Sequence, residues 1–285
     1  MMAIDFCGIP LRHAVINGSG TFDVKSAFLA FGEAIGERFP FAAFVSKTIT
    51  LEPRAGNPPP RLYETPAGMI NSIGLPGPGV DGYLENDLPQ LARLDVPLFT
   101  NVMGSSAVEV GELFDRVEPR AEIAAVELNV SCPNVKTGLD IGSDPLGLAA
   151  LLESVRSRLS KPLIVKLTPN VTDVAEIARA AEGAGADALS LVNTLRAWAP
   201  HPERPGKPWL GAGRGGLSGP AIRAVALSQV EAVASSTQLP VVGMGGVSNS
   251  DHARQFLAAG ATLVAVGTES FRDPLAAAAI ADGLL

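Results

Sequence analysis

Eight short β-branched or apolar runs recur along the chain, at about 13–16, 42–46, 97–101, 123–129, 162–166, 187–192, 240–244 and 262–266. Most are separated by stretches with helical patterning, and runs of this kind read as strands buried on both faces of a parallel sheet. Strand–helix alternation repeated eight times predicts a (β/α)8, or TIM, barrel; a doubly wound open sheet is the other architecture the pattern allows. At 285 residues the chain is long for an ordinary domain and normal for one such barrel. No low-complexity stretch or linker divides it, so a single domain over 1–285 is expected.

Local signals place several helices. Asp144 caps, and Pro145 starts, a Leu/Ala-rich stretch running to about 159. Asp173 with Glu176 resembles a capping box, closed by Gly183 and Gly185; Ser248 and Asp251 repeat that spacing, and Gly260 closes the next helix. Two stretches exceed a minimal barrel: 48–80, rich in proline (Pro53, Pro58, Pro59, Pro60, Pro66, Pro76, Pro78), and 195–218. Insertions on the C-terminal face of a barrel usually cover its active site, so both are expected to be irregular lids.

Composition narrows the function classes. A hydrophobic fraction of 47% supports a sizeable core, and a net charge of −7 without a Lys/Arg cluster argues against a nucleic-acid partner. Cys7 and Cys132 lie far apart, which excludes a disulfide framework, a zinc finger or an iron–sulfur cluster held by this chain alone. His13, His201 and His252 show no metal-ligand spacing, so no metal is expected. The N-terminus lacks the pattern of a signal peptide, and no apolar run is long enough to cross a membrane; a cytoplasmic location is expected.

Chemistry gathers where the runs end. The first leads into Asn17-Gly18-Ser19-Gly20-Thr21, the second into Lys47-Thr48, and the third ends at Asn101. The fourth leads into Asn129-Val130-Ser131-Cys132-Pro133-Asn134, where Pro133 stops the ladder and leaves the thiol on the loop beyond. Lys166 ends the fifth, and Asn193-Thr194 follow the sixth. Gly245-Gly246 and Gly267-Thr268 follow the last two, where barrel enzymes often hold phosphate on backbone N–H groups. Gly211 to Gly216 matches G-x-G-x-x-G, but it lacks the flanking strand and helix of a dinucleotide site and is rejected as one.

The strings Ser46-Lys47-Thr48, Glu52-Pro53-Arg54, Asn71-Ser72-Ile73-Gly74-Leu75, Asn129 to Lys136, Val192 to Leu195, Gly216 to Pro220 and Gly243 to Gly246 together resemble the class 1 dihydroorotate dehydrogenases, above all the class 1B catalytic subunit. The resemblance spans nearly the whole chain. It departs in Leu195 to Pro205, which lacks the usual continuation, and in a short C-terminus after Asp273-Pro274.

The resemblance implies an FMN-bound barrel that oxidises (S)-dihydroorotate to orotate in pyrimidine synthesis. Carried over by position, it makes Cys132 the base for the C5 proton while hydride passes from C6 to flavin N5. It assigns substrate to Lys47, Asn71, Ser72, Ile73, Gly74 and Leu75, and to Asn129, Asn134, Asn193 and Thr194. It assigns FMN to Ser19, Lys47, Thr48, Asn101, Asn129 and Lys166, and to Val192, Gly219, Gly245, Gly246, Gly267 and Thr268. The physics is compatible: an anionic imide ring needs a cation and amides that both donate and accept. A thiol, with an ordinary pKa of about 8.5, needs only a modest downward shift to act as a base. The resemblance further implies a homodimer within a heterotetramer, whose second subunit carries FAD and an iron–sulfur cluster and passes electrons to NAD. An FMN enzyme acting on another dihydropyrimidine, a class 1A enzyme using fumarate, and an inert flavin- or phosphate-binding scaffold remain as alternatives.

Overall fold

A computed structural model describes residues 4–32, 39–130 and 140–284. The chain opens with a short antiparallel hairpin, β1 (Ile4–Phe6) and β2 (Ile9–Leu11). Eight parallel strands follow at the expected places: β3 (Val15–Asn17), β4 (Phe44–Val45), β7 (Leu98–Val102), β8 (Ile123–Asn129), β9 (Leu163–Lys166), β10 (Ala188–Leu191), β13 (Val241–Met244) and β14 (Leu263–Val266). Their order is β3-β14-β13-β10-β9-β8-β7-β4, each paired in parallel with its neighbours, and helices lie between them. This is the TIM barrel, not the open sheet.

Alternation along each strand divides the core in two. Val126, Leu128, Val165 and Leu189 face the helices, while Ile16, Phe99, Ala125, Ile164, Ala188 and Val242 fill the barrel. The β1–β2 hairpin joins the inner cluster: the Phe6 ring stacks on that of Phe99 with centroids 6.0 Å apart.

The barrel closes between β3 and β4, two of its shortest strands, and a side chain completes the seam. Ala42 N–H donates to Val15 O at 2.9 Å. Beyond it, the buried Asn17 amide accepts from Val45 N–H and donates to Val45 O, both at 2.8 Å. An amide carries one donor and one acceptor in the pattern a strand would offer, so Asn17 stands in for ladder bonds. Asn17→Ala leaves a buried N–H and a buried C=O unmet. We expect it to lower stability by about 2–4 kcal/mol in urea unfolding, with the m-value unchanged.

The helix caps follow the sequence with one correction. Asp144 accepts from Leu146 N–H (3.1 Å) ahead of the helix Pro145–Val155, which tightens into a 3-10 turn, Arg156–Arg158, before residue 159. Asp173 accepts from Ala175 and Glu176 N–H ahead of Val174–Gly183. The helix Ser250–Ala258 is capped by Asn249, which accepts from His252 N–H at 2.9 Å, and not by Ser248. The Ser248 hydroxyl lies instead 3.0 Å from His252 Nδ1.

The two insertions are not irregular. The first contains the hairpin β5 (Leu62–Thr65) and β6 (Gly68–Asn71); the second contains β11 (Leu195–Ala197) and β12 (Gly215–Ser218). All four form one antiparallel sheet, β11-β12-β6-β5, in which Gly216 pairs with Asn71 and Ser218 with Met69. Ile70, Ala199 and Leu210 form its small core, and Trp209 Nε1 donates to Leu62 O at 2.8 Å. Close approach explains two glycines: a Cβ on Gly68 would lie 2.0 Å from Ser218 O, and one on Gly216 1.8 Å from Thr194 Oγ1.

Candidate active site

Between this sheet and the C-terminal end of the barrel lies a cavity of about 230 Å³. From the barrel it takes Ser19, Lys47, Thr48, Asn129 and Lys166, then Val192, Asn193 and Thr194. From the first insertion it takes Asn71, Ile73, Gly74 and Leu75; Gly219, Gly245, Gly246, Gly267 and Thr268 form another wall. Most residues that the sequence singled out are therefore brought together.

Four are not. Ser72 is fully buried beside the cavity, its N–H donating to Arg61 O and its hydroxyl accepting from Asn57 Nδ2 at 3.0 Å. Alternation along the chain turns it away from the wall that Asn71 and Ile73 form. Asn101 is fully buried and does not line the cavity. Cys132 and Asn134 lie outside the described residues.

The lining is polar and prearranged. Asn193 Oδ1 accepts from Thr194 N–H at 2.8 Å, and Asn193 Nδ2 lies 3.4 Å from Asn129 Oδ1. Asn170, which the sequence reading missed, braces this corner: its amide donates to Thr168 Oγ1 (2.9 Å) and Thr194 O (3.0 Å) and accepts from Arg196 N–H (2.8 Å). Ser19 Oγ donates to Ser46 O at 2.8 Å, and Thr268 Oγ1 donates to Ser218 Oγ at 2.9 Å.

Two cations serve the site in different surroundings. Lys166 is buried, with Nζ 3.7 Å from Glu127 Oε1. Lys47 reaches solvent, yet desolvation by the surrounding walls holds its ammonium below the usual lysine range; Asp23 opposes this, Arg61 adds to it, and Asp87 opposes it.

The glycine wall is a cradle. Gly245 (φ +132°) and Gly246 (φ +77°) adopt backbone conformations that side chains resist. A Cβ on Gly245 would meet Ala226 Cβ at 2.6 Å, and one on Gly246 would meet Gly219 O at 2.7 Å. No backbone acceptor among the described residues takes the N–H of Gly245, Gly246, Gly267 or Thr268. Such N–H groups suit an anionic oxygen cluster. The G-x-G-x-x-G stretch, by contrast, runs through turns into β12, with no strand before it and no helix directly after. Among the described residues no group of His, Cys, Asp and Glu could hold a metal, and no helix is long and apolar enough to cross a membrane.

Fold and cavity together define a (β/α)8 barrel whose C-terminal mouth opens on a polar cavity walled on one side by glycine backbone N–H groups. The family profile described as dihydroorotate dehydrogenase matches residues 1–285, and the chain belongs to that family, among relatives of class 1B. It is 46% identical over 283 residues to the "Dihydroorotate dehydrogenase B (NAD(+)), catalytic subunit" of Desulforudis audaxviator, covering 99% of this chain and 91% of that one. The protein of the same description from Trichlorobacter lovleyi is 46% identical over 286 residues, with 99% and 92% covered. The crystal structure of DHODH from Eimeria tenella in complex with ferulenol shares the fold, with a TM-score of 0.82 at 23% identity over 100% of this chain and 83% of that one.

Proposed function

We propose that this chain is the catalytic subunit of an NAD-linked dihydroorotate dehydrogenase, using FMN to oxidise (S)-dihydroorotate to orotate in pyrimidine synthesis. The observation that carries the reading is the single cavity in which the glycine cradle, two lysines and three asparagines meet. FMN suits it by the chemistry of the lining: backbone N–H groups of Gly246 and Thr268 for the phosphate, the adjacent hydroxyls of Ser19 and Thr48 on the same lining, and Lys166 for negative charge on the ring. When bound, FMN supplies the hydride acceptor.

The chain's own residues do the rest. Asn71, Asn129, Asn193 and, in the undescribed segment, Asn134 offer donors and acceptors to an imide ring, and Lys47 balances the substrate carboxylate. Cys132 removes the C5 proton. The antiparallel sheet covers the reactants and limits water. Electrons leave through a partner subunit carrying FAD and an iron–sulfur cluster, with NAD as acceptor. We read the chain as one domain that pairs as a homodimer within a heterotetramer in the cytoplasm.

Anaerobic mixing of the purified flavoprotein with dihydroorotate tests the reading. Prompt bleaching of the flavin band, and reoxidation by NAD only when the partner subunit is present, are expected. A flavin that stays oxidised with dihydroorotate but bleaches with dihydrouracil would overturn the substrate assignment.

A further inference from the structure

Inward-facing positions on four adjacent strands carry a polar layer where a barrel usually carries branched aliphatics. Asn101 on β7, Glu127 on β8, Lys166 on β9 and Ser190 on β10 are all buried, and Glu127 is the hub. Its Oε1 accepts from Asn101 Nδ2 and lies 3.7 Å from Lys166 Nζ; its Oε2 accepts from Ser190 Oγ at 2.7 Å. The side chain is 4% exposed. Beneath this layer the barrel interior is apolar, and above it Lys166 lines the cavity.

A lone buried carboxylate costs several kcal/mol, so one held here at three partners needs a purpose beyond packing. Two geometric facts supply it. At 3.7 Å the Lys166 ammonium is paired without a tight hydrogen bond, leaving its N–H groups available toward the cavity that the residue lines. The carboxylate also takes the NH2 side of Asn101, so Asn101 Oδ1 is fixed as an acceptor, and that buried oxygen has no partner among the described residues.

We infer that Glu127 is a positioning residue that sets the charge of the cavity floor. It holds the Lys166 ammonium in place, offsets that positive charge from below, and keeps Asn101 Oδ1 as the acceptor. The inference rests on the flavin reading above. By Coulomb's law, the Lys166 cation favours electron uptake by a bound flavin, and the Glu127 anion beneath it moderates that preference.

The test is the midpoint potential of the bound flavin, read anaerobically against a reference dye with dithionite as reductant, so that no substrate is involved. Glu127→Gln keeps the shape and removes the charge. Its potential is expected to rise, increasing the ratio of reduced to oxidised flavin at least tenfold at a fixed dye potential, which is about 30 mV for a two-electron couple. Lys166→Met is expected to move it the other way. In the Lys166→Met background, the added effect of Glu127→Gln is expected to shrink, because the pair acts as a unit.

An unchanged potential in folded, FMN-loaded Glu127→Gln would overturn the inference, as would an equal shift with and without Lys166. If Glu127→Gln fails to fold, Glu127→Asp retains the charge but withdraws it from Lys166 and Asn101; a smaller shift in the same direction is expected, and no shift overturns the inference. Wild-type protein that takes up no FMN would instead sink the functional reading itself.

Discussion

Cys132→Ala is expected to leave a folded flavoprotein whose reduction by dihydroorotate is slowed by about 10³-fold, within the range a positioned general base contributes. Hydride departure from C6 is tied to loss of the C5 proton, and among the residues gathered at this mouth none matches a thiol as a base near neutral pH. The asparagines do not titrate. Lys166 stands 3.7 Å from Glu127 and is assigned to the flavin in the proposed reading, which assigns Lys47 to the substrate carboxylate. Asn129, three residues before the cysteine, ends β8 and lines the cavity. Stopped-flow reduction of the variant measures the effect directly, with FMN content and orotate affinity as controls. Reduction at the wild-type rate would remove Cys132 from the chemistry and return the search for a base to the lining itself.

Gly246→Val is expected to abolish FMN retention, lowering affinity at least 100-fold in a fluorescence titration of apoprotein, and to cost about 1–3 kcal/mol of stability. Its φ of +77° penalises any side chain, and a Cβ would sit 2.7 Å from Gly219 O, 3.0 Å from Arg223 Cβ and 3.1 Å from Pro220 Cα. Two of those contacts are backbone, so relief means moving the wall that carries Gly219. Gly267 makes the control. Its φ is unrestricted, and a Cβ there would meet nothing closer than Thr21 Cγ2 at 3.6 Å, so Gly267→Ala is expected to fold with wild-type stability. Equal stability losses in the two variants would show that the cradle's backbone geometry is not what matters.

The two glycines look alike in the sequence, and that contrast marks where sequence reading stops. The eight barrel strands were legible because each is a local apolar run, and so were the polar residues at their ends. Ser72 was assigned to the site as part of the Asn71-to-Leu75 string, whereas the structure turns it toward Asn57 while Asn71 and Ile73 line the cavity. The antiparallel sheet went unseen because β6 and β12 are four residues each and lie far apart in the chain; neither has a periodicity of its own. Asn249 displaced Ser248 as a cap through a choice between adjacent polar residues that spacing does not resolve. Glu127 was hidden inside an apolar run, although its separation of two from Asn129 on a strand places both on the inner face.

The shared sheet has a thermodynamic corollary. Asn71, assigned to substrate, lies in the first insertion and Gly219, assigned to cofactor, directly follows the second, yet the β6–β12 ladder pairs Asn71 directly with Gly216, three residues before Gly219. A molecule that clamps one wall is therefore expected to steady the other, lowering the ordering entropy left for the second arrival. Such coupling is reciprocal: by whatever factor bound cofactor tightens substrate, substrate tightens cofactor by the same factor. Two segments distant in sequence are thus tied by one ladder beside the cavity, and a cofactor titration with and without orotate measures the coupling that follows.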